Sequence, residues 1–97
     1  MAKGYWIGRV DVRDAEAYKG YMAAAAPAYA EHGAVFLVRG GRFEAADGQA
    51  RARNVVIEFP SYEAALACFQ SETYQNARKI RMAFSEGDLI IIEGHDG

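Results

Sequence analysis

Among the charged residues in segments whose composition reads as β-strand, Arg9, Arg39, Arg53 and Glu58 form the set best suited to chemistry. A charge on a strand needs water, an opposite charge or a ligand, because desolvating it unpaired is costly. An arginine fork meets a carboxylate with two parallel hydrogen bonds, which makes Arg39 and Arg53 natural anchors for a small organic anion. Tyr18, Tyr21, Tyr29 and Tyr74 offer the other half of such a site: rings with an apolar body and a hydroxyl tip, suited to wall a pocket between helix and sheet. His32 exchanges a proton near neutral pH and is the candidate acid or base. The expected site is therefore His32 for catalysis, with Arg39, Arg53, Tyr18, Tyr21, Glu58 and Tyr74 for ligand binding.

Each of these residues also has a structural reading. Arg39 and Arg53 can form ion pairs with Glu44 or Glu58, and His32, at a helix end, can cap that helix. The tyrosines can pack a core or a dimer interface. Arg78, Lys79 and Arg81 read as a solvated basic turn, and Cys68 as a structural thiol, since no neighbouring residue type would activate it. Other chemistries find little support. His32 and His95 are the only histidines, so a site of several histidines cannot form within one chain, and Asp11, Asp14 and Asp88 lack a metal-loop spacing. A single histidine is a poor basis for haem. Gly40-Gly41 lacks the spacing and lysine of a phosphate loop. With no nucleophile and base pair in sight, any chemistry is expected to be cofactor-free proton abstraction, isomerisation or oxygenation, and no cofactor or metal is expected.

The elements that must position these residues follow from the pattern of apolar side chains. Tyr5 to Val12 alternates as a strand. Asp14 is placed to cap a helix running to about His32, with Tyr18, Tyr21 or Met22, Ala25, Tyr29 and His32 on one face and Gly33 as its stop. Pro27 predicts a kink or tightened turn. Ala34 to Arg39 is a continuous apolar strand, Gly40-Gly41 a bulge or bend, Arg42 to Glu44 a strand extension, and Asp47-Gly48 a hairpin turn leading to the strand Arg53 to Phe59. Ser61 caps a second helix, a further helical piece runs from Glu72 to about Met82, and Glu86-Gly87-Asp88 forms a turn before the strand Leu89 to Glu93.

This βαββαβ order predicts an α+β, ferredoxin-like plait, one antiparallel sheet with its helices on one face, occupying residues 1–97 as a single domain. Such a short chain has no third layer for the other sheet face, so a homodimer through that open face is expected. A net charge of −2, from eleven basic and thirteen acidic residues, supplies no general attraction for nucleic acid. The lone Cys68 excludes an internal disulfide, the start of the chain lacks a signal-peptide core, and no long apolar run predicts a membrane span. Cytoplasmic residence is the expectation.

The chain resembles the DUF1330 family of the dimeric α/β-barrel superfamily. The resemblance is carried by Lys3-Gly4-Tyr5-Trp6, Asp14-Ala15-Glu16-Ala17-Tyr18, Arg39-Gly40-Gly41, Arg53-Asn54-Val55-Val56-Ile57-Glu58-Phe59-Pro60 and Ser85-Glu86-Gly87-Asp88. It implies a dimeric α/β barrel. Related barrels include cofactor-free monooxygenases, haem-decomposing enzymes and proteins that only bind metabolites. Two functions follow as expectations: a dimer binding a small polar or anionic metabolite, with cofactor-free isomerase or monooxygenase-like activity, or a non-catalytic structural or regulatory dimer.

Overall fold

The computed structural model describes residues 1–96. The elements are β1 (Gly4–Val12), α1 (Ala15–Glu31), β2 (Val35–Arg39), β3 (Arg53–Phe59), α2 (Tyr62–Gln70), α3 (Glu72–Phe84) and β4 (Ser85–Glu93). The four strands form one sheet in the order β2-β3-β1-β4, every neighbouring pair antiparallel. This is the expected ferredoxin-like α+β plait.

The helices start where side chains satisfy their first free N–H groups. Asp14 accepts from the Ala17 N–H, Ser61 from Ala64 and Ser71 from Tyr74. Ser71 also donates to the Cys68 carbonyl at 2.7 Å, so one hydroxyl both closes α2 and opens α3. At the other end of α1, Gly33 adopts φ +73° and the Ala34 N–H reaches back to the Tyr29 carbonyl. α1 runs unbroken through Pro27. The missing proline N–H orphans only the Ala23 carbonyl, and Ala23 is exposed to water.

One sheet face is covered by helices and holds the core. Trp6, Val10, Ile57 and Phe59 are buried there with Ala65, Cys68 and Tyr74. Trp6 donates its indole N–H to the Ala65 carbonyl at 2.9 Å and meets the Tyr74, Phe59 and Tyr29 rings at centroid distances of 4.8, 5.3 and 5.7 Å. The Cys68 thiol donates to the Ala28 carbonyl and burial pushes its pKa up to about 12, so this thiol is a packed side chain. On the other face, Ile7, Val35, Val38, Ile90 and Ile92 stand exposed, Val35 and Ile90 at 53% each.

Two local expectations are corrected, and one irregularity is new. β4 begins at Ser85, directly after α3, so Glu86-Gly87-Asp88 is strand and not a turn. Gly87 pairs with Val10, and a Cβ there would collide with the Arg9 carbonyl; the glycine serves close strand approach. Residues 42–44 do not extend β2, because nothing packs on this stretch and Phe43 is 52% exposed. β2 and β3 are instead joined by a long loop over residues 40–52, with Gly48 at φ +75°. Finally, the ladder between β2 and β3 shifts between Phe36 and Val38, leaving Leu37 as a bulge.

Candidate functional site

α1 packs chiefly on α3 and stands off the sheet, whereas α2 lies against it. The space left beneath α1 is a cavity of about 300 Å³, at the lower end of the range for small-molecule sites. Its walls are aromatic: Trp6, Tyr18, Tyr21, Tyr29, Phe36 and Tyr74. Arg39, Arg53 and Arg81 border it as cations.

The arginines gather at one end for topological reasons. Arg39 closes β2, Arg53 opens β3, and Arg81 lies in the last turn of α3, two turns beyond Tyr74 on the same face. Arg39 stacks on the Phe36 ring at 4.3 Å, and Arg53 lies over Tyr18 at 5.8 Å with Nη2 3.8 Å from the Met22 sulfur. None of the three forms an ion pair among the described residues. The Nε atoms of Arg53 and Arg81 are buried without a hydrogen-bond partner. Such donors are rare unless a water or ligand takes them. Gly40, at φ +70°, keeps clear of Arg53: a Cβ there would come within 2.7 Å of the guanidinium.

The same cavity is lined by a set of phenols. The Tyr21 hydroxyl is 2.9 Å from that of Tyr74 and 3.1 Å from that of Tyr29. Burial raises the pKa of all three well above the ordinary tyrosine value, with Arg81 lowering those of Tyr21 and Tyr74 only in part. They are neutral donors at physiological pH.

Arg9 and Asp88 touch the cavity rim but face each other across 3.9 Å. Asp88 also receives Arg51 Nε at 3.1 Å, while Arg51 Nη1 reaches Asp11 at 2.9 Å. Asp11 further accepts the Ala52 N–H at 2.9 Å, tying the end of the long loop to β1. That N–H, opposed by desolvation and helped by Arg51, holds the Asp11 carboxyl below its usual range. Among the described residues, no cluster of three or more His, Cys, Asp or Glu could hold a metal ion.

Of the residues singled out in the sequence, Arg39, Arg53, Tyr18, Tyr21, Tyr29 and Tyr74 meet at this cavity. Two do not. Glu58 pairs across the ladder with Tyr5 and Val35 on the uncovered face, where it binds Lys3 at 3.5 Å and the Tyr5 hydroxyl at 3.3 Å. Alternation along β3 puts it opposite the buried Ile57 and Phe59. His32 caps α1, its Nδ1 donating to the Ala28 carbonyl at 2.8 Å, and does not line the cavity. Arg81 is the reverse case: expected on a solvated face, it borders the site, and its seven-residue spacing from the buried Tyr74 was the available signal. Arg78 likewise lies over Phe69 at 5.6 Å, while Lys79 is exposed.

Comparison with known proteins agrees with this architecture. No curated protein matches the sequence. A protein of unknown function from Rhodopseudomonas palustris shares the fold at 20% identity and a TM-score of 0.79, covering 99% of this chain and 85% of that one. SnoaB, a cofactor-independent oxygenase from Streptomyces nogalater, aligns at 11% identity and a TM-score of 0.65, over 100% of this chain and 97% of its own. An ethyl tert-butyl ether degradation (EthD) family protein from Bacillus halodurans gives 14% identity and a TM-score of 0.58, covering 98% of this chain and 100% of the other. Residues 3–95 match the family described as a domain of unknown function, DUF1330, and the chain belongs to that family.

Proposed function

We propose that this protein binds a small organic anion with an apolar body in the cavity beneath α1, and that it does so as a homodimer joined through the uncovered sheet face. The observation that carries the binding reading is the pair of buried, unpartnered Nε–H groups on Arg53 and Arg81, both bordering an aromatic-walled cavity. A carboxylate or enolate would satisfy these donors while its apolar part covers the rings. The dimer reading rests on Val35, Val38, Ile90 and Ile92, an exposed apolar set on one face of a sheet.

The site favours binding over acid–base catalysis. His32 is spent on capping α1, the tyrosines are held neutral, and Asp88 is engaged by Arg9 and Arg51. A substrate processed here without a cofactor therefore arrives as its anion or ionises on binding. The fold shared with a cofactor-independent oxygenase supports oxygenation of such an anion as a second reading.

Thermal unfolding with 4-isopropenylbenzoate and with its uncharged methyl ester tests the binding reading. The acid is expected to raise the midpoint, since a ligand at a hundred times its dissociation constant adds about 2.7 kcal/mol, and the ester to leave it in place. Equal shifts from both would remove the role assigned to charge. For the assembly, sedimentation is expected to show a dimer at micromolar concentration and a monomer for Ile90→Glu; a wild-type monomer would overturn it.

A further inference from the structure

We infer that the ligand of this cavity carries a second polar group, a hydrogen-bond-accepting oxygen such as a ketone, in addition to its anionic group. This deepens the anion-binding reading and rests on it. The argument is a count of protons. Tyr29, Tyr21 and Tyr74 bring three O–H donors to the cavity wall, and two hydrogen bonds join them. These hydroxyls make no other hydrogen bond among the described residues, so whichever way the two bonds are oriented, one O–H remains unused. Tyr74 and Tyr21 are 0% and 7% exposed and Tyr29 is half-buried, so a partner within the cavity that all three line is the acceptor the surplus proton meets on two of the three hydroxyls.

The placement of this surplus donor sets the shape of the ligand. Tyr74 and Arg81 share a face of α3, their Cα atoms two helical turns or about 10 Å apart. Cationic nitrogen and surplus hydroxyl thus line one aromatic cavity from two turns of the same helix. A molecule with a carboxylate, an unsaturated or aromatic body and a carbonyl oxygen meets both. A simple fatty acid or a monofunctional aromatic acid leaves the phenolic proton unpaired, a cost the second oxygen would remove.

Isothermal titration with two isosteres, 4-acetylbenzoate and 4-isopropenylbenzoate, tests this, because they differ only in a ketone oxygen replacing a methylene. The ketone is expected to bind about three- to tenfold tighter, the ratio for one neutral hydrogen bond. Removing the Tyr29 or the Tyr74 hydroxyl leaves the count of surplus donors at one, and removing that of Tyr21 raises it to two, so the informative variant is Tyr21→Phe/Tyr29→Phe/Tyr74→Phe. It replaces the whole hydroxyl set by rings of the same shape. In that variant, with its fold checked by circular dichroism, both acids are expected to bind with equal affinity, at the level of 4-isopropenylbenzoate in the wild type. Equal affinities in the wild type, or a ketone preference that survives in the triple variant, would overturn the inference and leave the anion site standing. Failure of both acids to bind the wild type would overturn both readings.

Discussion

Arg51 and Arg53 stand two residues apart at the entrance to β3 and meet opposite surroundings. Arg51 is saturated: Asp11 at 2.9 Å, Asp88 at 3.1 Å and the Glu86 carbonyl at 3.4 Å occupy its fork. Arg53 turns beneath α1 to a tyrosine ring and a methionine sulfur, its Nε buried with no acceptor. The carboxylates near this end of the sheet, Asp11 and Asp88, fasten the long loop through Arg51, and Asp88 also touches the cavity rim. The arginines on the inner side keep their charge unneutralised by the fold. A filled ion-pair network and an unpartnered guanidinium thus stand two residues apart.

The largest expected effect comes from removing the unpartnered member. In Arg53→Met, the affinity for 4-isopropenylbenzoate is expected to fall about 10- to 100-fold, the loss of one charge-assisted hydrogen bond, with thermal stability unchanged or raised. A marked drop in stability with unaltered affinity would mean that Arg53 is as structural as Arg51. Next is Gly40→Ala, which places a side chain at φ +70° against the Arg53 guanidinium. It is expected to cost about 1–2 kcal/mol in chemical denaturation and to weaken the same ligand by a smaller factor. Asp11→Ala tests the other side of the contrast. It is expected to lower the melting temperature modestly and to leave ligand affinity within error, because it frees the loop while the cavity arginines stay in place.

The smallest effect is in acid. A carboxyl whose pKa is lower in the folded than in the unfolded chain stabilises the fold above its unfolded value, near 3.9, and loses that contribution as pH falls through the folded value. Wild-type stability is therefore expected to decline below about pH 4 more steeply than that of Asp11→Ala. Parallel declines would remove Asp11 from the loop's anchoring.

Much of this was legible in the sequence because local chemistry announced it. Asp14, Ser61 and Gly33 marked helix ends, and the spacing of Tyr18, Tyr21 and Tyr29 marked the inner face of α1. The four cavity tyrosines and both strand arginines followed from residue type and element alone. What failed needed the third dimension. Glu58 and Arg53 lie on one strand, and their assignment to opposite faces depends on which alternate residues are buried, a pattern readable from Ile57 and Phe59 but easily outweighed by the attraction of pairing opposite charges. Arg81 looked like solvent-facing charge because its helix is polar overall. The gap beneath α1 had no signature at all: it exists because that helix leans on α3, a tertiary preference that no spacing within α1 encodes.

The bulge at Leu37 carries a consequence for specificity. Along a regular strand, Val35, Leu37 and Arg39 would project to the same side, and Arg39 would stand outside among the exposed aliphatics. The extra residue reverses that count once, so that Val35 and Val38 look outward while Phe36 and Arg39 look inward together. The number of cations in the cavity is therefore set partly by the bulge. Deleting Leu37 alone is expected to keep Phe36 and Arg39 facing inward on a regular ladder, whereas straightening β2 at its present length would turn Arg39 outward and subtract a positive charge from the cavity.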